Sequence, residues 1–178
     1  MIIALAGRRV DASDASEPRF PLQNVGRVGL TVQALLQQQD ATAIVSSAAC
    51  GADLIGLAEA GKLGLRRRIV LPFGRAQFRE TSVVDRPGDW GELYDSILDA
   101  VEAAGDLVVI DTVVEDEAYS AANRAILEEA ITLGQQRVEP VGAALVWDGT
   151  SRGKKDYTEE FGAQARNRGL AVFEVLTI

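Results

Sequence analysis

Six short apolar runs, none of them strictly alternating, divide this chain and constrain its fold more than any other feature. They are IIALA at 2–6, the run within ATAIVSS at 42–46, RRRIVLPF, DLVVID, VGAALVW and AVFEVL. Unbroken Val/Ile/Ala runs of this length read as strands covered on both faces. Between them lie stretches with helical spacing. After Asn24, a predicted N-cap, apolar residues recur at Val25, Val28, Val32, Leu35 and Leu36. A second helix carries Leu54, Leu57, Ala58 and Leu63, with Gly64 at C′. Asp89 with Glu92, and Asp156 with Glu159, have the spacing of capping boxes. The helix behind the first carries Leu93, Ile97 and Val101; that behind the second carries Tyr157, Phe161 and Ala165. A further helix is expected over 117–133, closed by Gly134, whereas 74–88 reads as loop.

This β-α alternation predicts an α/β fold: a single Rossmann-like doubly wound domain over 1–178, with a mainly parallel sheet of five to six strands. The length of 178 residues suits one domain. In such sheets ligands bind beyond the carboxyl ends of the strands, at the point where strand order reverses. The segments just after the strands are therefore where chemistry is expected.

Composition limits that chemistry. There is no histidine and one cysteine, Cys50. That excludes a Ser-His-Asp triad, a Cys-His pair, His-ligated zinc and an intrachain disulfide. A base here has to be a carboxylate. No metal site and no cofactor are expected. The net charge of −8 argues against sequence-independent nucleic-acid binding. All of the 18 basic residues except Lys62, Lys154 and Lys155 are arginine, the better fork for phosphate and carboxylate; GC-rich coding also produces such an excess. The opening MIIALAGRRV has its arginines after a five-residue apolar run, the reverse of a secretory signal. No stretch approaches the ~20 apolar residues of a membrane span. Cytoplasmic location and no membrane partner are the expectations.

Four segments stand out at the strand ends. Ser46-Ser47-Ala48-Ala49-Cys50-Gly51-Ala52-Asp53 places small residues between a strand and a helix, where free amides suit a phosphate; it also reads as a compact βα turn. Gly7-Arg8-Arg9, with Arg19 in the long loop that follows, offers guanidinium groups to an anion or to solvent. The loop with Phe78-Arg79 and Thr81-Ser82-Val83 is expected to fold over a ligand and supply Arg79 and the Ser82 hydroxyl, with Trp90 read as core. Asp111, Glu115, Asp116 and Glu117 follow the fourth strand and read as a solvated acidic loop or as an acid-base pair. Tyr119 and Asn123 on the next helix are positioned to face the site, and Trp147-Asp148-Gly149 stacks a base or turns the chain. Cys50 reads as a buried small residue, or as a reactive thiol if exposed at its helix start.

Taken in order, Ala6-Gly7-Arg8-Arg9-Val10-Asp11, Glu17-Pro18-Arg19-Phe20-Pro21, Ser47 to Asp53, Val70-Leu71-Pro72-Phe73, Phe78, Thr81-Ser82-Val83, Trp90 and Val146-Trp147-Asp148-Gly149 resemble bacterial Rossmann-like domains of the SLOG group. That group is related to DprA/SMF and to the LOG cytokinin-activating enzymes. The resemblance covers nearly the whole chain. It implies a domain that binds nucleotides or nucleotide-derived signals, with Gly7, Arg8, Ser46, Ser47, Gly51, Asp53 and Ser82 as site candidates. Two departures matter. Arg8 stands where the group usually has a histidine, which trades a titratable ring for a fixed charge. The PGGxGTxxE motif of the LOG-type phosphoribohydrolases is absent.

Two functions follow as expectations. The first is binding or sensing of a nucleotide-like small molecule, in a stress or defence system, by Gly7, Arg8, Arg9, Arg19, Ser46, Ser47, Gly51, Asp53, Arg79 and Ser82. The second is a hydrolase acting on an N-glycosidic or phosphate bond of a nucleotide, with Asp53 and Glu117 as catalytic carboxylates. A homo-oligomer or a signalling partner protein is compatible with either.

Overall fold

The first strand runs through the middle of the protein because every one of its side chains has a covered place to go. The computed structural model describes residues 1–110 and 115–178. Strand β1 (Ile2–Gly7) pairs in parallel with β2 (Ala43–Ser46) on one side and β5 (Val141–Trp147) on the other. With β3 (Arg66–Leu71), β4 (Leu107–Val109) and β6 (Ala171–Leu176), they form a six-stranded, all-parallel sheet in the order β4-β3-β2-β1-β5-β6.

Alternate residues of these strands serve two cores. Ile3, Leu5, Ile44, Ile69 and Leu71 pack beneath α1 (Val25–Gln38), α2 (Ala52–Lys62) and α4 (Trp90–Ala103). Ile2, Ala4, Val45, Val70 and Leu145 pack beneath α5 (Glu115–Arg137) and α6 (Tyr157–Asn167). This is the doubly wound fold expected. Burial of β1, β2 and β5 on both faces explains the lack of polar alternation in those strands.

Three local expectations are corrected. Residues 75–82 are not loop but a short helix, α3 (Arg75–Ser82), which buries only Phe78 and Ser82; so small an apolar face leaves no periodic signal. Gly134 does not end α5, which runs on to Arg137. A Cβ at Gly134 would lie 2.4 Å from Val141 Cγ2, so glycine is there for close packing rather than for a turn. The Asp156 cap forms, its carboxylate accepting from the amides of Thr158 and Glu159, while Asp89 makes no side-chain cap bond. Trp90 is core, 5% exposed, as is the free thiol of Cys50.

Strand order puts the reversal between β1 and β5: the chain winds outward from β1 to β4, then α5 carries it back across the other face to β5. The carboxyl ends of those two strands form the crevice where a ligand is expected.

Candidate functional site

Glycine at position 7 lets the crevice close tightly at its floor. A Cβ there would sit 2.2 Å from the Val146 carbonyl and 2.5 Å from Ala52 Cβ, so no other residue fits. Gly51, at φ +93°, turns the chain into α2 and presses it against the segment after β1; Ala52 N–H donates to the Arg8 carbonyl at 3.0 Å. Above this floor opens a cavity of about 700 Å³, within the range of small-molecule sites.

Its walls come from distant parts of the chain. The long loop after β1 forms one side. It is closed at its base by Asp11, whose N–H donates to the Phe20 carbonyl and whose carboxylate accepts from the amides of Arg19 and Phe20. Phe20 is wholly buried beneath it, which pins the loop, while Ala12, Ala15, Ser16 and Glu17 face the cavity. Opposite, α5 shows Tyr119, Ala122, Asn123 and Ile126, a helical stripe. Tyr119 and Tyr157 meet with ring centroids 5.5 Å apart, Ser82 Oγ lies 3.1 Å from the Tyr119 hydroxyl, and Asn123 Nδ2 donates to the Tyr157 carbonyl.

Arg8 and Arg19 are already engaged. Arg8 is 3% exposed. Its Nε donates to Asp148 Oδ1 at 2.8 Å, its Nη1 and Nη2 to the two oxygens of Asp156 at 2.6 and 2.8 Å, and Nη2 also to the Thr150 carbonyl at 2.7 Å. The guanidinium lies 5.8 Å over the Trp147 ring. Arg19 Nη1 takes the remaining Asp148 oxygen at 2.7 Å. Burial would raise the Asp156 carboxyl, but the Arg8 bonds and the amides of Arg152 and Glu159 outweigh it and hold it at about 2. Arg8 thus ties the end of β1 to the loop between β5 and α6. Arg9 is half-buried, paired with Asp85, and directs Nε to Cys50 Sγ at 3.5 Å. Burial pushes that thiol up, with Arg9 opposing, so it is not a reactive thiolate.

Asp53, 8% exposed, stands differently from the other acids of the site. Its Oδ2 accepts from the Ala49 amide at 3.2 Å, yet no ion pair joins it among the described residues. Burial lifts its carboxyl to about 7, against the opposing pull of Ala49 N–H, Ser46 and Arg9. Ser46 itself is wholly buried and donates to the Leu5 carbonyl, while the Ser47 hydroxyl, lining the cavity, has no hydrogen-bond partner among the described residues. The amides expected to await a phosphate at the α2 start are partly used: Ala49 by Asp53, Cys50 by the Ser82 carbonyl, Ala52 by Arg8.

Among the residues singled out from sequence, Gly7, Arg8, Arg9, Arg19, Ser47, Asp53 and Ser82 line this one cavity. Ser46 and Gly51 support it from behind. Two do not come together with the rest. Arg79 points away and pairs with Asp95 through Nε at 3.1 Å, because helical spacing in α3 turns Phe78 and Ser82 inward and Arg75 and Arg79 outward. Glu117 is exposed and outside the lining, one side of α5 away from the Tyr119 stripe. Asp111 lies outside the described residues, as do the side chains of Glu115 and Asp116. Arg86, Arg152 and Lys155 line the cavity without having been expected; they sit in irregular loops, where no periodicity points to them.

No family model and no curated protein matches the chain. Among solved structures it is similar to the X-ray structure of DNA processing protein A (DprA) from Streptococcus pneumoniae, at 14% identity and a TM-score of 0.44 over 96% of this chain and 57% of that one. The chain thus spans little more than half the length of that protein. The fold itself rests on the strand order and the two helical layers. Among the described residues, no helix is long and apolar enough to cross a membrane.

Proposed function

We propose that this protein binds a nucleotide or nucleotide-derived small molecule in the cavity at the carboxyl ends of β1 and β5. The observation that carries the reading is the joining of two recognition chemistries in one crevice. Tyr119 and Tyr157 offer aromatic surface to a base, and guanidinium groups at the mouth, Arg9, Arg86 and Arg152 among them, offer charge to phosphate. The cavity lies at the reversal of strand order, and its volume of about 700 Å³ accommodates a ligand of that size. The ordered motifs that resemble the SLOG group support the same ligand class. Binding to the native state adds RT ln(1 + [L]/Kd), so a nucleotide at 100 times its Kd should stabilise the fold by about 2.7 kcal/mol. A thermal-shift panel with NAD, ADP-ribose, ATP and cyclic nucleotides tests this, and no shift at saturating concentrations from any of them would count against the reading.

A second reading, hydrolysis of an N-glycosidic or phosphate bond of that nucleotide, is favoured by Asp53. A buried carboxyl poised near neutrality inside a ligand-sized cavity suits general acid-base work. Glu117 drops out of this version because it does not line the cavity. Product formed at the same rate by wild type and Asp53→Asn would remove it.

A further inference from the structure

Three arginines and two aspartates meet where the loop between β5 and α6 borders the cavity, and only two of the arginines are paired with the acids. Asp148 spends Oδ1 on Arg8 Nε and Oδ2 on Arg19 Nη1, both within 2.8 Å. Asp156 spends Oδ1 on Arg8 Nη1 and on the Thr158 and Glu159 amides, and Oδ2 on Arg8 Nη2 and on the Arg152 amide. Neither carboxylate is paired with the third guanidinium, Arg152, among the described residues. Glu17, another acid of the lining, is a rim residue whose side chain is 80% exposed and turned to Arg19 at 3.5 Å.

Arg152 is therefore held by its backbone and not by its side chain. Its N–H donates to Asp156 Oδ2 at 2.7 Å, and Asp156 is itself gripped by Arg8, so the residue is anchored to a rigid, buried pair. Its side chain is exposed, lines the cavity, and pairs with no acid among the described residues. Arg8, Arg9, Arg19 and Arg86, which share the lining, each have a carboxylate partner. Desolvation and the like charge of Arg8 and Arg19 lower the Arg152 pKa from the usual arginine value, against the opposing pull of Asp156 and Asp148. An isolated surface arginine would feel no such pressure. A cation anchored at the cavity wall beside two others, with no carboxylate paired to it among the described residues, is a place prepared for an anion.

We propose that Arg152 is the residue that receives the phosphoryl group of the ligand, with the Arg8–Asp156 pair acting as the brace that positions it. This rests on the nucleotide reading above and assigns its anionic end to the β5–α6 loop, not to the amides at the start of α2. Arg8 is a positioning residue: it makes four side-chain hydrogen bonds to Asp148, Asp156 and Thr150, and it acts by holding Asp156 and through it the backbone of Arg152.

The test measures affinity by calorimetry for the tightest nucleotide of the panel, for its uncharged nucleoside and for inorganic pyrophosphate. Wild type, Arg152→Ala, Arg152→Lys and, as a control outside the cavity, Arg79→Ala are compared. Loss of one charge-assisted contact should weaken nucleotide and pyrophosphate binding of Arg152→Ala roughly 10- to 100-fold. Arg152→Lys should fall between, and nucleoside binding and Arg79→Ala should be unchanged. A readout without ligand separates binding from structure: since the Arg152 side chain pairs with no acid among the described residues and its backbone N–H bond survives in alanine, Arg152→Ala should melt no lower than wild type. Equal nucleotide affinity in wild type and Arg152→Ala would overturn the assignment while leaving the nucleotide reading standing, and so would a lowered melting temperature of the unliganded variant. Pyrophosphate binding that depends on Arg152, with no nucleotide binding, would uphold the assignment and overturn the nucleotide reading. No binding of any probe overturns both.

Discussion

Replacing Arg8 with methionine is the most informative perturbation of this fold. The side chains of Arg8, Asp148 and Asp156 are 2%, 5% and 1% exposed, so the substitution strands two carboxylates out of water. Removing one partner of a buried pair costs about 3–5 kcal/mol. The lower end applies here, because Asp156 keeps three amide donors and Asp148 keeps Arg19. About 3 kcal/mol corresponds to a fall of roughly 6–12 °C in Tm for a domain of this size. The pH dependence makes the prediction sharper. Arg8 helps hold the Asp156 carboxyl at about 2, below its ordinary 3.8, so ionised Asp156 stabilises the folded state by about 2 kcal/mol. For a depressed carboxyl that stability is complete above pH 3.8 and is lost as pH falls through about 2. Urea unfolding of wild type and Arg8→Met should therefore differ most at pH 7 and converge toward pH 2.5. The double variant Arg8→Met/Asp156→Asn, which removes the stranded charge and keeps a cap acceptor, should recover part of the loss. A loss below about 1 kcal/mol at pH 7, or one that does not change with pH, would refute the reasoning.

Two further outcomes follow from the site. Gly7→Ala places a methyl 2.2 Å from the Val146 carbonyl, where backbone cannot give way; overpacking of this kind costs about 1–3 kcal/mol or more, and circular dichroism melts should show it even without ligand. Asp53→Asn removes a carboxyl that burial lifts from 3.8 to about 7. A raised carboxyl takes up protons on folding, so wild-type stability declines between pH 3.8 and about 7 and is flat above. The variant should match wild type near pH 4 and exceed it at pH 8 by up to about 4 kcal/mol, as read by chemical denaturation at the two pH values.

The architecture was legible because burial on both faces leaves a mark that survives in one dimension. Unbroken runs such as IIALA and VGAALVW have no other economical place in a fold of this length. The short helix 75–82 was not, because Phe78 and Ser82 are its only inward residues, and a two-residue face has no measurable period. Gly134 shows a different limit: a glycine required by Val141 across the packing looks the same in sequence as one required by a turn. At the site, position after a strand was enough to bring forward Gly7, Arg8 and Asp53. What it could not convey was that Arg8 is bound by acids 140 and 148 residues further along, so that Arg152 lines the cavity with no acid paired to it among the described residues. That pairing depends on β5 lying beside β1, and a strand order is not written in any local pattern.

The most direct test of ligand binding at the β1–β5 crevice is a crystal structure of the protein soaked with a mixture of nucleotides. The account predicts ordered density over Gly7, with a base against Tyr119 and Tyr157 and a phosphoryl group at Arg152. A nucleotide bound elsewhere on the surface, with the cavity filled only by water, would contradict it.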